Sequence, residues 1–281
     1  MQSFSAQRSC RTVAIALLSA FISGCAADIP PAKGPPRIGQ WVWTREDAAL
    51  FTETAVARPD LEAGVYIGSI HCDASSGLLE AHAGLSPSVT GAASITAVIR
   101  FEDGLDACRV VNDTAHRFNQ SLDSAVGVLR KRGATTPVSA MQLDYDAPQR
   151  ALDAWAGSVR YLTQHALAED SVWLTSLIAQ LREPKYGDLF RDVVRGHVLQ
   201  VFDTGEFAEP EQVTEAVRVA GRARMPFRVG LGAFERRGRH GTTNHRAWFS
   251  TIPQFAKVPG YRGLWVFPAG ERWATLLRET S

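Results

Sequence analysis

Two carboxylates stand where a strand-like run meets a helix-like run, in the hexapeptide Leu143-Asp144-Tyr145-Asp146-Ala147-Pro148. Side chains two residues apart on a strand lie on one face, so Asp144 and Asp146 are expected to project together. Two like charges at this spacing raise the pKa of one carboxyl, which divides carboxylate pairs into an acid and a base. Asp144 is therefore predicted to act as a base or nucleophile, with Asp146 assisting it.

A helix-capping role is the alternative for Asp146. Pro148 is typical of a first helical position, and an Asp residue is common just before a helix. Asp144 lacks this alternative, because the strand alternation would turn its side chain into the interior of a barrel. The sequence therefore favours Asp144 over Asp146 as the main site residue.

The strand-like run Ser94–Phe101 leads to a third candidate carboxylate. Arg100 and Glu102 lie on one face by alternation, so both are expected to reach the mouth that Asp144 faces. Glu102 is thus a candidate catalytic residue, and Arg100 is a candidate for binding a charged group or shifting a pKa. A salt bridge from Arg100 to Glu102 or to Asp144 is the alternative. Other acidic residues after strand-like runs also stay open as the second carboxylate, namely Asp203, Glu206, Glu235 and Glu271.

The elements that must position these residues alternate between strands and helices. Eight short apolar or alternating runs have strand character: Ile38–Trp43, Gly64–Ile70, Ser94–Phe101, Ser139–Tyr145, Ser171–Leu177, His197–Phe202, Phe227–Leu231 and Gly263–Phe267. Apolar stripes at helical spacing begin near Ala115, Leu152 and Pro210. Such alternation over about 250 residues predicts a single (β/α)8 TIM-barrel-like domain. No stripe occurs between Cys72 and Ala93, so some helices are expected to be irregular or missing, and a doubly wound open sheet is the alternative.

Further side chains are expected at the C-terminal mouth of the barrel, where barrel enzymes carry their chemistry. The aromatic ones are Trp43, Tyr145, Trp248 and Trp265, and the polar ones are Gln200 and Asp203. Aromatic rings stack on the C–H faces of sugars, so Trp43 and Tyr145, together with Gln200 and Asp203, are predicted to bind a glycan. Core packing is the alternative for each aromatic residue.

A basic loop follows the seventh strand-like run, with its charges in the segments 236–240 and 245–246. A phosphate group or an acidic glycan would suit this loop, and a merely solvated loop is the alternative. No metal site is predicted, because His240 and His245 lack a third ligand nearby. No cofactor is predicted either, since the chain has no phosphate-binding loop and no dinucleotide-binding turn.

The first residues are typical of an export signal. Arg8 and Arg11 precede an apolar segment that is too short to span a bilayer as a permanent helix. The segment Ile22-Ser23-Gly24-Cys25 resembles the bacterial lipobox, which implies that residues 1–24 are removed and that Cys25 carries lipid. Cleavage as an ordinary secretory signal is the alternative.

Lipidation would place the protein on a membrane-bound tether. Ala26 follows the lipobox cysteine where an Asp would mark inner-membrane retention, which implies the outer membrane, facing the periplasm. Residues 25–37 are rich in proline, which favours an extended and semi-rigid chain. Residues 38–281 are then expected to form the barrel domain.

Charge and composition exclude some classes of function. The chain has 30 basic and 29 acidic residues, and removal of residues 1–24 would take away two arginines and no acidic residue, changing the net charge from +1 to −1. This balance argues against a nucleic-acid partner held by bulk charge. In an oxidising compartment Cys72 and Cys108 are predicted to form a disulfide, because both follow strand-like runs at one end of the barrel; two buried thiols are the alternative.

The residues around the carboxylates also resemble a known family. Four segments look like the domain of unknown function 3142 family, namely Gln142–Pro148, Leu174–Leu177, Val198–Val201 and Pro226–Leu231. That family is bacterial and often exported, and the resemblance implies a glycosidase-like barrel but no particular reaction. This chain departs from the family pattern at Ala147, where Cys is usual, and at Phe202, where His tends to occur.

More distantly, Asp144-Tyr145-Asp146 is similar to the Asp-x-Asp-x-Glu strand end of chitinase-like barrels, in which the Glu is the acid. Pro148 occupies that position here, so a chitinase mechanism is disfavoured. The leading hypothesis is an envelope lipoprotein that cleaves or modifies a polysaccharide, as a glycoside hydrolase or a lyase. The alternative is a non-catalytic envelope lipoprotein that binds a glycan or another protein.

Overall fold

The structure, a computed structural model, describes residues 29, 34–112, 114–133, 136–205, 207–238 and 241–277. The predicted signal segment, Cys25 and most of the tether lie outside these residues, as do Glu206 and His240. The strands are β1 (Arg37–Val42), β2 (Glu62–Asp73), β3 (Leu78–Ala83), β4 (Ser94–Phe101), β5 (Ala140–Asp144), β6 (Val172–Leu177), β7 (Gly196–Gln200), β8 (Phe227–Gly232), β9 (Glu235–Gly238), β10 (Gly241–Asn244) and β11 (Tyr261–Phe267). The helices are α1 (Arg45–Ala57), α2 (Leu105–Val111), α3 (Ala115–Gly133), α4 (Leu152–Gln164), α5 (Ile178–Leu181), α6 (Tyr186–Phe190), α7 (Pro210–Arg222) and α8 (Ile252–Phe255).

Eight parallel strands close into a barrel. Their order is β1, β2, β4, β5, β6, β7, β8 and β11, and β11 pairs with β1 to complete the circle. The predicted (β/α)8 fold is therefore confirmed, and the open-sheet alternative is wrong. Each of the eight strand-like runs forms one barrel strand, and the three apolar stripes form α3, α4 and α7.

Strand alternation divides the side chains of β5 between two environments. Met141 and Leu143 point outward and join the core between the barrel and the helices, where Trp155 of α4 also lies. Gln142 and Asp144 point inward, and the Gln142 side chain accepts a hydrogen bond from the Trp41 indole at 3.2 Å. The inward face of this strand thus carries the polar groups that the site uses.

Two antiparallel hairpins stand where regular helices are missing. β3 pairs with the C-terminal half of β2, which explains the absence of a helical stripe after Cys72. A disulfide joins Cys72 of β2 to Cys108 of α2 and fastens this hairpin to the barrel. The basic loop after β8 forms the second hairpin, β9–β10, and then a 3₁₀ helix over His245–Thr251. Among the helices of the described residues, none has the length and apolarity needed to cross a bilayer.

Two tryptophans fill the centre of the barrel. Trp41 from β1 and Trp265 from β11 are almost fully buried, and their ring centroids lie 5.7 Å apart. Neighbouring strands make room by carrying glycine, since a Cβ at Gly64 would lie 2.1 Å from a ring carbon of Trp265. A Cβ at Gly230 would lie 2.7 Å from the Trp41 ring in the same way. The two indoles can occupy the interior only because these positions have no side chain.

We expect the Gly64→Ala substitution to lower the free energy of unfolding by about 1–3 kcal/mol, because the new methyl group overpacks the barrel interior. The matched control is Gly127→Ala in α3, where an added Cβ meets nothing within 4 Å. That variant should gain about 0.5–1 kcal/mol, since alanine favours a helix over glycine. Urea denaturation of both variants checks the prediction, and a Gly64→Ala protein as stable as the unsubstituted chain would contradict it.

Candidate functional site

A cleft of about 240 Å³ opens at the C-terminal end of the barrel. Its lining comes from the ends of β1, β4, β5, β7 and β11 and from the hairpin after β8. The lining residues are Trp41, Trp43, Arg100, Gln142, Asp144, Asp146, Gln200, Phe202, Asp203, Arg236 and Phe267. Six of the predicted site residues therefore meet in one place, namely Trp43, Arg100, Asp144, Asp146, Gln200 and Asp203.

Arg100 binds both carboxylates of the hexapeptide. Its Nη1 donates to Asp144 at 3.0 Å, and its Nη2 donates to Asp146 at 2.8 Å. β4 and β5 pair in parallel with Arg100 directly opposite Asp144, so strand register alone brings these two residues together. Burial by itself would lower the pKa of Arg100, but the two carboxylates raise it above its ordinary value. The guanidinium therefore stays charged.

Asp144 is the most deeply placed acidic group of the cleft. Only 5% of the residue is exposed, and this burial raises the pKa of its carboxyl above the ordinary value. The charge of Arg100 and a hydrogen bond from Thr175 act in the opposite direction. Thr175 also accepts from Gln142 at 2.8 Å, and Gln142 in turn accepts from Trp41. A chain of hydrogen bonds thus fixes Asp144 to the floor of the cleft.

Asp146 belongs to the cleft and does not cap a helix. The turn after β5 begins as a 3₁₀ helix over Gln149–Ala151, and Pro148 precedes it without any side-chain capping bond. The Asp146 Oδ2 atom accepts from Arg100, while its Oδ1 atom is buried and has no hydrogen-bond partner among the described residues. A buried carboxylate oxygen without a partner is an acceptor that a ligand hydroxyl can satisfy.

A second charged group faces the cleft from β7 and the β9 hairpin. The Asp203 carboxylate binds Arg236 at 2.8 Å and the Nε2 atom of His245 at 3.2 Å. Asp203 has a left-handed backbone with φ of 53°, a conformation that is found more often in functional loops. Burial lowers the pKa of His245, which favours its neutral form. Gln200 orders the same turn by donating to the Phe202 carbonyl at 3.0 Å.

Aromatic rings form the remaining wall of the cleft. Trp43 stacks on Tyr66 with centroids 4.8 Å apart and meets the Phe267 ring edge-on at 6.0 Å. Phe267 in turn stacks on Phe202 at 5.5 Å. These contacts hold Trp43, which is only partly buried, in a fixed orientation beside the charged groups.

Two of the predicted site residues lie elsewhere. Tyr145 was expected to bind substrate, but its ring is buried against Phe101 and Trp155 on the outer face of the barrel. The alternation that turns Asp144 inward turns Tyr145 outward. Glu102 does not line the cleft, because β4 ends at Phe101 and the chain leaves the strand alternation before Glu102.

Trp248 and Trp265 were also expected near the mouth, and both predictions are wrong. Trp248 is buried in the outer core, and Trp265 is buried in the barrel interior. Core packing, the stated alternative, therefore applies to both residues. Only Trp43 remains as a mouth tryptophan that was predicted from the sequence.

Several lining residues were not predicted as site residues, although the sequence carries signals for some of them. Trp41 lies two residues before Trp43, and Phe267 lies two residues after Trp265, so alternation places each pair on one strand face. Arg236 belongs to the basic loop, but nothing in the sequence pairs it with Asp203. Within the described residues, no three His, Cys, Asp or Glu side chains converge in a way that would hold a metal ion.

Solved structures with a similar fold include enzymes and an inhibitor. A family 18 chitinase from Cycas revoluta, solved in complex with (GlcNAc)4, has a TM-score of 0.62 at 11% identity, over 88% of this chain and 98% of that one. The spore cortex-lytic enzyme SleL of Bacillus cereus has a TM-score of 0.54 at 14% identity, over 89% of this chain and 76% of that one. The xylanase and α-amylase inhibitor protein XAIP-II from Scadoxus multiflorus has a TM-score of 0.53 at 9% identity, over 88% of this chain and 97% of that one.

No protein-family model matches the chain, and no curated protein sequence is similar to it. The structural similarities are therefore the comparison that bears on this protein. Identities of this size establish the fold alone. The chain has a TIM barrel like that of the family 18 glycoside hydrolases.

Proposed function

We propose that the protein is a cell-envelope lipoprotein whose barrel cleft binds a glycan without cleaving it. One observation carries the proposal: each acidic side chain that lines the cleft is already paired with an arginine. Asp144 and Asp146 bind Arg100, and Asp203 binds Arg236. A carboxylate in such a pair acts as a hydrogen-bond acceptor towards the guanidinium, so its oxygens are arranged to accept from a ligand hydroxyl and not to present a proton.

Glycoside hydrolysis needs a group that protonates the leaving oxygen. In chitinase-like barrels the Glu of the Asp-x-Asp-x-Glu strand end has this role, and the corresponding residue here is Pro148. The acidic residues that line the cleft, Asp144, Asp146 and Asp203, all bind arginine instead. Phe202 also argues against hydrolysis, because its apolar ring occupies a position where the domain of unknown function 3142 family tends to have a titratable His.

The same groups suit the recognition of a sugar. Carboxyl oxygens accept from sugar hydroxyls, arginines donate to ring and linkage oxygens, and the Trp43 ring offers a stacking surface. The cleft is smaller than the roughly 300–1,000 Å³ that is typical of drug-sized ligands, at about 240 Å³. It therefore fits a short glycan segment or chain end better than a long stretch of polymer. Glycan binding is also consistent with the similar chitinase that was solved with a GlcNAc oligomer.

Hydrolysis through Asp144 is the second candidate function. It is favoured by the burial of Asp144, which raises the pKa of the carboxyl towards the range of a proton-transferring group. In this scheme Asp144 is the base or nucleophile, and Asp146 assists it through the shared Arg100. A turnover assay separates the two candidates.

We expect Trp43→Ala to weaken glycan binding by about tenfold, because the substitution removes the stacking surface of the cleft. The matched control is Tyr161→Ala, which removes a half-buried ring that stacks on His165 of the outer helix layer. Isothermal titration with (GlcNAc)4, and with the best glycan from an array if (GlcNAc)4 does not bind, measures the effect. Equal affinity of the Trp43→Ala variant and the control would contradict the location of the site.

The same purified protein is then incubated with the bound glycan, and the products are followed by mass spectrometry. Non-catalytic binding predicts an unchanged glycan over many hours. Cleavage that disappears in the Asp144→Asn variant, while glycan binding persists, would overturn the non-catalytic proposal and establish the second candidate. An array without any bound glycan would remove both.

The raised pKa of Asp144 also predicts how stability depends on pH. A carboxyl whose pKa is higher in the folded than in the unfolded state loses stabilisation as the pH rises from about 4 through the folded pKa. Asp144→Asn removes this loss, so its stability relative to the unsubstituted protein should increase between pH 4 and pH 8. Urea denaturation of both proteins across this pH range measures the change in relative stability. Asp188→Asn, at a side chain that is 76% exposed, is the surface control for the loss of one carboxyl. If the stability of Asp144→Asn relative to the unsubstituted protein falls as the pH rises, the charge of Arg100 outweighs burial. The hydrolysis candidate would then lose its support.

The envelope location rests on the segment before the barrel. The lipobox-like Ile22-Ser23-Gly24-Cys25 and the proline-rich tether support a lipid anchor on Cys25 and a position at the outer membrane, facing the periplasm. Membership in the domain of unknown function 3142 family, which the quoted motifs support, belongs to the same proposal.

Mass spectrometry of the envelope fraction should find acylated Cys25, and Cys25→Ser should abolish the modification. Cys10→Ser, upstream of the cleavage site, is the control that should leave it intact; an unmodified Cys25 would refute the anchor.

A further inference from the structure

A second and larger cavity lies at the opposite end of the barrel. It has a volume of about 580 Å³ and is lined at the N-terminal ends of the strands. The residues before β1, Gly34 to Pro36, form part of its rim, so the tether enters the fold at this cavity. Trp41 and Trp265 fill the barrel between the two ends, which separates this cavity from the cleft.

The cavity carries a strong excess of positive charge. Four arginines line it, Arg37, Arg195, Arg228 and Arg262, against a single acidic residue, Glu62. Glu62 is almost fully buried and binds two of the four, Arg37 at 2.6 Å and Arg228 at 2.8 Å. One carboxylate therefore binds two guanidinium groups, and their two positive charges exceed its single negative charge.

Arg228 is held in place at the bottom of this cavity. Its guanidinium lies over the rings of Trp173 and Trp265, at 4.7 Å and 5.3 Å from their centroids. Its Nε atom is buried and has no hydrogen-bond partner among the described residues. Burial lowers the pKa of Arg228, and the nearby positive charge of Arg37 adds to this effect. The structure thus fixes a buried cation whose donors are not all satisfied.

Arg195 and Arg262 also line the cavity, and the Arg262 Nη1 atom donates to the Tyr261 carbonyl at 3.1 Å. Burial lowers the pKa of Arg262, and the charge of Arg195 lowers it further. Hydroxyl side chains of Ser94, Thr96 and Ser171 also line the cavity and supply neutral hydrogen-bonding groups. Clustered guanidiniums with hydroxyl neighbours form the donor set that anionic oxygens bind most strongly.

We propose that this cavity is a binding site for a phosphate group. A phosphate would accept charge-assisted hydrogen bonds from Arg195, Arg262 and Arg228, while Glu62 keeps Arg37 and Arg228 in position. The phosphate would come either from a lipid headgroup or from free phosphate. A headgroup source rests on the proposed lipid anchor, which would turn the tether end of the barrel towards the membrane; the site itself is independent of the glycan cleft.

Titration calorimetry with inorganic phosphate tests the site on the purified protein. Arg195→Gln and Arg262→Gln should each weaken phosphate binding by about tenfold, since each removes one charge-assisted contact. These two positions are chosen because Arg37 and Arg228 hold a buried carboxylate whose loss of partners would destabilise the fold. Arg160→Gln, at an exposed position on α4, removes the same charge away from the cavity and should bind phosphate as the unsubstituted protein does.

Soluble dihexanoyl phosphatidylglycerol, compared with dihexanoyl phosphatidylcholine, separates the two sources. Preferential binding of the anionic lipid, weakened in Arg195→Gln, supports the site with a headgroup as ligand. Binding of inorganic phosphate but of neither lipid supports it with free phosphate as ligand. The proposal is overturned if neither inorganic phosphate nor the anionic lipid shows saturable binding, or if the Arg195→Gln and Arg262→Gln variants bind as well as Arg160→Gln. Thermal unfolding of every variant verifies that a loss of binding is not a loss of fold.

Discussion

The packing of two indole rings inside a closed eight-stranded barrel is the constraint on which the rest of the structure depends. An interior of this size is just wide enough for side chains, so it must be filled completely. Trp41 and Trp265 fill it, and glycines at positions 39, 64 and 230 leave them the space. This apolar cluster lies between the two ends of the barrel. Each end of the barrel can therefore carry its own arrangement of charges.

The two ends use arginine in opposite ways. In the cleft, Arg100 and Arg236 are matched by three carboxylates, so the charges are close to balanced and the surface offers both donors and acceptors. In the cavity at the tether end, Glu62 is the single acidic group among four arginines, so positive charge is left over. A balanced polar surface with an aromatic wall suits a neutral glycan, whereas excess positive charge suits an anion. The overall net charge of +1 conceals this separation, because it sums over both ends.

The carboxylate pair keeps the Asp-x-Asp spacing of a chitinase-like strand end but lacks the third acidic residue of that pattern. Asp144 and Asp146 occupy the inner face and the mouth of the barrel, as the Asp-x-Asp spacing requires. Pro148 removes the third acidic residue of the chitinase-like pattern and starts the turn into α4 instead. Arg100 then binds both remaining carboxylates, and its positive charge offsets part of the cost of burying Asp144. Under the proposed function, this geometry serves as a glycan-binding surface on a TIM-barrel scaffold.

Local sequence determined most of the fold and half of the site. Strand period and helical stripes are short-range properties, so the eight barrel strands and the inward direction of Asp144 follow from the sequence. The error at Tyr145 arose because its aromatic type was weighed above the alternation, which turns its ring outward. The error at Glu102 shows the limit of the rule, because alternation ceases to apply once β4 ends at Phe101. That assignment required the strand bounds, which a pattern of residue types places only to within a few positions.

Only the tertiary structure decided which residues make contact between strands that are distant in sequence. Arg100 meets Asp144 through the register of β4 and β5, and Arg236 meets Asp203 through a hairpin that folds back over the barrel mouth. The cavity at the tether end gathers arginines from four separate segments. Such contacts depend on barrel closure and strand register, which are set by the packing of the whole interior. The sequence by itself therefore determined which residues point inward, and the closed barrel decided which of them bind one another.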